Sequence, residues 1–280
     1  MKLFVTGGSG FIGSSVIRNA LKKGFHVLNF DALTYAGSKE NLRSVENNKH
    51  YQFFHGDICN LDVLNKTIHT FKPDGIIHLA AESHVDNSIH SPLEFINTNI
   101  IGTFNILESV RLYLSQTSRN KFKMIHVSTD EVFGSLSDEG TFNEQSRYKP
   151  NSPYSASKAS SDHLVRAWNK TYKLPLIITN CSNNYGPYQF PEKLIPLTIL
   201  NCINRKKIPI YGNGKNIRDW LYVEDHADAL LKVFSDGVVG ESYNIGTENE
   251  LSNIELVNSI CSVMDRLLPA NYQYKSLIEH

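Results

Sequence analysis

The sequence predicts an α/β fold in which a doubly wound parallel sheet is followed by a smaller C-terminal lobe. Short apolar runs alternate with amphipathic helical patterns over the first 180 residues. This alternation is typical of parallel sheets whose strands are buried between two layers of helices. The predicted strands are 2–6, 26–32, 51–56, 75–80, 123–128, 176–180 and 241–245, and the helical patterns lie near 11–23, 61–71, 93–114 and 155–172.

Beyond about residue 180 the alternation weakens, and prolines and glycines divide the chain into short segments. We therefore predict a sheet domain over 1–180 and a smaller lobe that is mainly 181–280. The apolar run at 241–245 predicts that the chain rejoins the sheet domain by about 241–260.

Composition argues against several classes of protein. The 280 residues hold 28 Lys and Arg against 28 Asp and Glu, so bulk charge attracts neither nucleic acid nor an anionic membrane. Four scattered cysteines and eleven histidines show no ligand spacing, which predicts reduced thiols and no metal site. No apolar run reaches 18 residues and no signal peptide opens the sequence, which predicts a cytoplasmic protein.

The first predicted strand leads into a glycine-rich turn. Residues 7–13 read Gly-Gly-Ser-Gly-Phe-Ile-Gly, and a helical pattern follows at once. Glycines at this spacing let backbone N–H groups approach a pyrophosphate at the helix N-terminus. We predict a Rossmann-like, dinucleotide-binding fold whose cofactor contacts include Gly7, Gly10, Phe11, Ile12 and Gly13.

Asp31 ends the second run, 18 residues after Gly13. A carboxylate at this point accepts a hydrogen bond from a ribose 2′-hydroxyl and repels a 2′-phosphate, so it favours NAD over NADP. The alternative interpretation is an ordinary turn residue.

Tyr154 and Lys158 stand four residues apart at the start of the fourth helical pattern. Positions i and i+4 share a helix face, so the phenol and the ammonium can meet at one site. A neighbouring ammonium would lower the pKa of the phenol toward the range of a general base. The pair alone is a weak signal, since two residues on a solvated face look the same, but the glycine turn strengthens it.

Other polar candidates also follow predicted strands: Asp57 the third, Ala80 to Glu82 the fourth and Ser128 to Glu131 the fifth. Ligands of doubly wound sheets bind beyond the carboxyl ends of the strands. The adjacent carboxyls Asp130 and Glu131 could form an exposed acidic turn. They could also hold opposite protonation states, as an elimination reaction requires.

These motifs resemble the extended short-chain dehydrogenase/reductase superfamily, and longer stretches resemble its dTDP-glucose 4,6-dehydratase family. The similarity covers essentially the whole chain and is most specific in Thr129-Asp130-Glu131 and in residues 180–196, NCSNNYGPYQFPEKLIP. It implies an NAD-dependent lyase that oxidises a nucleotide sugar at C4, eliminates water across C5 and C6, and returns hydride to C6. Such a reaction serves deoxysugar, for example rhamnose, biosynthesis; the sequence leaves dTDP and UDP open as the nucleotide.

The resemblance also implies residue roles. Tyr154 would take the C4 hydroxyl proton, Lys158 would hold the nicotinamide ribose and keep the phenolate accessible, and Thr129 would bond the C4 oxygen. Glu131 would be the base at C5 and Asp130 the acid at the C6 hydroxyl. Further cofactor contacts would come from Asp57, Ile58, Ala80 and Ala81, and substrate contacts from Ser83, Asn183, Lys193, Leu194, Pro209, Tyr211, Arg218 and Asn253.

Arg218 suits a diphosphate because its planar fork can bind two oxygens, although it could instead pair with Asp219 or Glu224. The chain departs from the family pattern at Asn87, where Arg is common, and at Phe133, where Tyr is usual. It also stops at residue 280, where family members continue, so we expect the family's C-terminal segment to be missing.

Two other functions stay open at this point. One is an NDP-sugar 4-epimerase, which would use NAD, Tyr154 and Lys158 but not the carboxyls Asp130 and Glu131. The other is an NAD-binding protein with little turnover, which would not need the residues to which the resemblance gives catalytic roles. Apolar stripes run along 93–107 and 156–172. They could pack on their own sheet or against a second copy of the chain, and the resemblance implies a homodimer.

Overall fold

The computed structural model describes residues 1–117, 121–136, 140–210 and 212–279. Its strands in these residues are β1 (Lys2–Thr6), β2 (His26–Asp31), β3 (Tyr51–His55), β4 (Gly75–His78), β5 (Lys123–Thr129), β6 (Leu176–Cys181), β7 (Asn183–Tyr185), β8 (Ile208–Pro209), β9 (Ile217–Tyr222), β10 (Ser242–Ile245), β11 (Glu250–Ser252) and β12 (Ile278–Glu279).

The α-helices in the same residues are α1 (Phe11–Lys22), α2 (Leu61–Phe71), α3 (Val85–His90), α4 (Pro92–Phe95), α5 (Gly102–Ser115), α6 (Pro153–Tyr172), α7 (Leu194–Ile203), α8 (Val223–Asp236) and α9 (Asn253–Leu267). A π-helical segment, Ile96–Ile101, joins α4 to α5, and short 3₁₀ turns cover Lys39–Val45, Asp130–Phe133 and Tyr274–Leu277. Within the described ranges, no helix is long and apolar enough to cross a membrane.

The chain forms two units, one of Met1–Cys181 with Glu224–Ile245 and one of Ser182–Val223 with Gly246–His280. The first unit is built on a seven-stranded sheet of order β10-β6-β5-β4-β1-β2-β3. Every pairing in it is parallel. The predicted Rossmann-like fold is confirmed, and each predicted strand appears with ends that differ by no more than two residues.

Alternate side chains of β1 enter opposite faces of this sheet, as the period of two in a strand requires. Phe4 lies in one core with apolar residues of α2, α5 and α6. Leu3 and Val5 lie in the other with residues of α1 and α8. The strand order turns at β1 and β4, because β2 and β3 extend to one side and β5, β6 and β10 to the other. In such sheets ligands bind beyond the carboxyl ends at this switch point.

The return to the first unit lies at 224–245 instead of about 241–260. The reason is α8, whose apolar face was not predicted from the sequence. Ala227, Leu230, Leu231 and Phe234 of this helix are buried in the sheet core. Residues 246–280 belong to the second unit.

The second unit holds a three-stranded sheet, β11-β9-β7, and a two-stranded one, β12-β8. Helices α7 and α9 share a core that includes Cys202, Val257, Cys261 and Tyr274. Ser252 and Glu255 form a capping box at the start of α9, in which each side chain bonds the other residue's backbone N–H.

Candidate active site

The turn between β1 and α1 requires glycine at two positions. Gly7 has a φ of +69°, and a Cβ there would lie 2.6 Å from Ala80 N. A Cβ at Gly13 would overlap the Gly7 carbonyl oxygen and lie 2.7 Å from Gly8 Cα. At Gly10 an added Cβ would lie 3.3 Å from Gly7 O, a tight contact but a less severe one than at Gly7 or Gly13.

Helix α1 begins directly after this turn. Gly10 is its N-cap, no described side chain caps it, and its first turn holds no acidic residue. The first N–H groups of α1 are therefore available to an anion, and the macrodipole favours one. This arrangement fits the pyrophosphate of a dinucleotide, with Gly7, Gly10, Phe11, Ile12 and Gly13 as the residues that would hold it.

Asp31 has a structural task in addition to the predicted one. Its Oδ2 accepts a hydrogen bond from Ser9 N at 2.8 Å, and its Oδ1 accepts one from Leu33 N at 2.7 Å. Burial raises the pKa of Asp31, while the two backbone bonds act in the opposite direction. The carboxylate thus ties the glycine turn to the loop after β2, at the place where a ribose contact was predicted.

The other predicted cofactor residues follow the ends of neighbouring strands. Asp57 is exposed just after β3 and Ile58 is buried beside it. Ala80 follows β4 and donates its backbone N–H to Thr6 Oγ1 at 3.2 Å. Ala81 and Ser83 lie in the same loop, and because β4, β1, β2 and β3 are adjacent, these residues share one edge of the sheet.

The predicted reacting residues meet at the end of β5, next to β4. Thr129 is the last residue of β5; its Oγ1 donates to Asp130 Oδ1 at 3.3 Å and accepts from Glu131 N at 3.2 Å. Tyr154 lies in the first turn of α6, and Thr129 hydrogen-bonds its phenol. The charges of Glu131 and Asp130 also act on that phenol. The structure therefore brings Thr129, Asp130, Glu131 and Tyr154 together.

Tyr154 and Lys158 are both buried on the same face of α6. The pKa of Tyr154 is raised well above its usual value, first by burial and then by the Glu131 charge, while the Thr129 hydrogen bond acts in the opposite direction. The Lys158 ammonium donates to Val127 O at 2.9 Å. Burial therefore dominates the pKa of this phenol, the ammonium bonds the strand backbone, and the predicted effect of Lys158 on the phenol stays a prediction.

The predicted substrate residues other than Ser83 belong to the second unit. Asn183 on β7 pairs with Trp220 of β9, and Arg218 on β9 pairs with Leu251 of β11. Asn253 follows β11 as the first residue of α9. These three residues thus share one small sheet and the helix that follows it.

Three more predicted substrate residues lie elsewhere in this unit. Lys193 and Leu194 stand at the start of α7, and Pro209 lies on the separate strand β8. Lys193 Nζ is 3.8 Å from Glu192 Oε1. Tyr211 lies outside the described residues, so its predicted contact has no structural counterpart here.

Arg218 is exposed, and both of its alternative partners bond other groups. Asp219 accepts from Thr247 N, Thr247 Oγ1 and Asn249 N at 2.8, 2.7 and 2.9 Å. Glu224 pairs with Arg18 at 3.1 Å within the first unit. The ion pairs considered for Arg218 are therefore not formed by these carboxylates.

Comparisons with known proteins agree with this geometry. The sequence model described as GDP-mannose 4,6 dehydratase matches residues 4–278. A dTDP-glucose 4,6-dehydratase of Escherichia coli is 56% identical over 281 aligned residues, which cover 96% of this chain and 78% of the relative. The chain belongs to the dTDP-glucose 4,6-dehydratase family.

Solved structures of this family are similar throughout. The dTDP-glucose 4,6-dehydratase of Bacillus anthracis, in complex with NAD, is 45% identical with a TM-score of 0.89, covering all of this chain and 84% of that one. The Streptomyces venezuelae enzyme DesIV, with NAD and TDP bound, is 41% identical with a TM-score of 0.90 and the same coverage.

The structure shows the surroundings of Phe133 and Asn87, the two residues that depart from the pattern of the dTDP-glucose 4,6-dehydratase family. Phe133 packs in an apolar cluster, its ring 5.2 Å from that of Phe142 and 5.3 Å from that of Tyr148. Asn87 lines a cavity of about 560 Å³ that Asp57 and Glu82 also border. The apolar surroundings explain why Phe is accepted at 133, and nothing in the structure explains why Asn stands at 87.

Sequence reasoning missed Asn99, a buried residue of the π-helical segment. Its Nδ2 donates to Ser157 Oγ at 2.8 Å and to Glu82 O at 3.0 Å, and its Oδ1 accepts from Glu82 N at 2.8 Å. Asn99 therefore joins the loop after β4 to the helix that carries Tyr154. An asparagine inside an apolar helical pattern was the available signal, because a buried amide must find partners.

Proposed function

We propose that this chain is a dTDP-glucose 4,6-dehydratase that converts dTDP-glucose to dTDP-4-keto-6-deoxyglucose. The observation that carries the proposal is the acid pair beside the phenol: Asp130 and Glu131 both act on buried Tyr154, and Thr129 touches Tyr154 and Asp130. The identity of the relatives supports dTDP as the nucleotide.

Bound NAD⁺ supplies the hydride acceptor for C4 and the hydride donor for C6. Tyr154 takes the proton of the C4 hydroxyl, and Thr129 Oγ1 hydrogen-bonds the same oxygen. Lys158 holds the nicotinamide ribose from the next turn of α6. Burial of both side chains excludes water from the proton transfer.

The acid pair divides the elimination between two groups. The C4 ketone acidifies the C5 hydrogen, which Glu131 removes as base, while Asp130 protonates the departing C6 hydroxyl. Two carboxyls in one site can hold opposite protonation states because a shared environment penalises a second charge. An epimerase oxidises and reduces C4 alone and would leave both carboxyls without a task.

The test is incubation of the chain with dTDP-glucose, with and without added NAD⁺, followed by the alkali-induced absorbance of a 4-keto-6-deoxy sugar. We expect product with dTDP-glucose and less with UDP-glucose, because the two differ by a base methyl group, worth about 1–3 kcal/mol in a pocket, and by the ribose 2′-hydroxyl. Absence of product, together with a thermal shift caused by NAD⁺, would favour an NAD-binding protein with little turnover.

We also propose that the chain acts as a homodimer in the cytoplasm, where its nucleotide sugar and NAD are metabolites. Part of the predicted stripes packs inward, since Leu107 is fully buried. Four other side chains of the stripes are exposed, and with the neighbouring Ile101 they make up what we call the exposed patch: Leu93, Ile96, Ile101, Phe104 and Tyr172, with exposed fractions between 37 and 65%. Trp168 of α6 connects Phe104 of α5 with Tyr172 of α6: its ring centroid lies 5.9 Å from that of Phe104 and 5.5 Å from that of Tyr172.

A further inference from the structure

Asp162 is a buried carboxylate to which the proposed mechanism gives no task. It lies on α6, four residues after Lys158, and its side chain is 0% exposed. Its Oδ2 accepts hydrogen bonds from Tyr148 OH at 2.8 Å and Ser128 Oγ at 2.9 Å, and its Oδ1 lies 3.2 Å from His126 Nε2. A fully buried carboxylate is costly unless it is bonded and its charge is balanced.

Lys158, one turn earlier on α6 and also buried, carries a charge of the opposite sign. Burial lowers the pKa of Lys158, and the charge of Asp162 acts in the opposite direction. Burial also opposes the ionisation of Asp162, but its hydrogen bonds with His126 and Tyr148 and the charge of Lys158 outweigh it, so the pKa lies below the usual value. Burial lowers the pKa of His78 and His126, and both rings are therefore neutral near pH 7.

The other titratable or charged groups near Asp162 and Lys158 interact with different partners and do not substitute for either charge. Arg166 bonds the Tyr148 hydroxyl at 3.1 Å and Ser242 Oγ at 3.2 Å. Cys181, next to Lys158 and Tyr154, bonds Ser128 O through its thiol at 3.5 Å. Asp130 and Glu131 act on Tyr154 at the open end of the same helix face.

Asp162 also reaches the strand end that carries the reacting residues. Ser128, which bonds it, precedes Thr129 in β5. Asn180 Nδ2 lies 3.4 Å from Asp162 Oδ2 and donates to Thr129 O at 3.1 Å. The carboxylate is therefore bonded to a side chain of β5, which ends at Thr129 just before Asp130 and Glu131, and to one of the neighbouring strand β6.

We propose that Asp162 is a positioning residue, whose buried carboxylate offsets the charge of Lys158 one turn earlier on α6 and fixes the end of β5 ahead of Thr129. This inference rests on the proposed function, because Lys158 and Thr129 matter for turnover only in that reaction. Asp162 itself touches neither substrate nor cofactor in this proposal.

The first test is the pH profile of kcat for Asp162→Asn, which removes the charge and keeps the shape. We expect kcat to fall about 10- to 100-fold through misplacement of the reacting groups. The alkaline limb of the profile should move down by about one pH unit, because Lys158 loses its proton earlier. Tyr148→Phe, which removes one hydrogen bond and leaves the charge, should keep the alkaline limb in place. An Asp162→Asn limb at the wild-type pH would overturn the proposal.

A second test measures stability instead of activity, so it stays informative if Asp162→Asn folds poorly. Lys158→Met and Asp162→Asn each leave one buried charge unbalanced, whereas the double variant removes both. We expect a higher thermal midpoint for the double variant than for either single variant. A double variant less stable than both would overturn the proposal. An inactive wild-type chain with the expected stability cycle would contradict only the proposed function.

Discussion

Glu131 carries the step that separates a dehydratase from an epimerase. Its charge acts on Tyr154, and its backbone N–H is fixed by Thr129 Oγ1. We expect Glu131→Gln to lower formation of the 4-keto-6-deoxy product by at least about 10²-fold, because the base at C5 is lost. Oxidation at C4 should persist, and the absorbance of reduced nicotinamide after addition of dTDP-glucose measures it.

A matched control for this substitution is Glu46→Gln, which changes an exposed carboxylate in the same way. It should keep wild-type turnover. If Glu131→Gln retained product formation, or lost C4 oxidation together with it, Glu131 would not be the C5 base.

Individual site residues could be predicted where the backbone accepts only one residue type. Gly7 and Gly13 were found from spacing, because a Cβ at either position meets backbone atoms. The raised pKa of Tyr154 was not predictable, since burial and the nearness of Glu131 depend on how distant elements pack. Asp162 continues the four-residue spacing of Tyr154 and Lys158, but only the fold shows what its carboxylate bonds.

The turn between β1 and α1 permits a comparison of two glycines. Gly13→Ala should lower the free energy of unfolding by about 1–3 kcal/mol, because the added Cβ meets backbone that cannot move freely. Gly10→Ala should cost less stability than Gly13→Ala, since its added Cβ would meet one backbone oxygen at 3.3 Å, but should weaken NAD binding by blocking close approach of the pyrophosphate.

Urea unfolding and calorimetric titration with NAD measure the two effects separately. Each variant is the control for the other, because both add one methyl group to the same turn. Wild-type affinity for NAD in Gly10→Ala would show that the pyrophosphate does not approach this glycine.

In the second unit, Asp219 joins β9 to the turn that precedes β11. Burial opposes its charge, but hydrogen bonds from Thr247, Asn249 and Ser182 outweigh it and lower its pKa below the ordinary 3.8. A lowered pKa gives stability that is present above the unfolded-state value and is lost as pH falls through the folded-state value. Asp219→Asn should therefore be less stable than wild type at pH 7, with the difference shrinking below about pH 4.

Urea unfolding at a series of pH values measures this difference. Asp236→Asn is the control, because Asp236 pairs with Lys232 on an exposed helix face and such pairs contribute little. A stability difference for Asp219→Asn that stays constant with pH would show that shape, and not charge, holds this turn.

The seven strands of the large sheet and the helical patterns of α1, α2, α5 and α6 were predictable from sequence, because apolar runs and amphipathic periods state which side chains are buried. The segment 93–114 was predicted as one helical pattern, yet it contains the π-helical residues Ile96–Ile101. The local sequence pattern could not show this, because Glu82 and Ser157, the hydrogen-bond partners of Asn99, lie 17 and 58 residues from it in sequence. Helix α8 was missed as well, although its apolar face is regular.

For the whole molecule, sequence predicted two units and could not fix how the chain divides between them. The run at 241–245 was recognised as a strand of the larger sheet, but α8, which precedes it, decides where the return begins. Substrate residues predicted by resemblance cluster in the second unit, and reacting residues in the first.

The exposed patch predicts how the whole molecule assembles. Leu93, Ile96 and Phe104 are 65, 46 and 37% exposed, and contiguous apolar surface of this kind marks an interface. We expect light scattering after size-exclusion chromatography to give the mass of a dimer. Leu93→Glu with Phe104→Glu should give a monomer, because two unpaired charges would be buried in each copy of the patch.

Val238→Glu is the matched control, since Val238 is 60% exposed in a loop away from this patch. It should remain a dimer. The monomeric variant should keep its NAD-induced thermal shift, because the glycine turn and Asp31 lie at the strand ends and not on the patch. A monomeric wild-type chain at micromolar concentration, or dissociation by Val238→Glu, would contradict the homodimer, since a stable interface buries about 800 Å² on each partner and resists one distant charge.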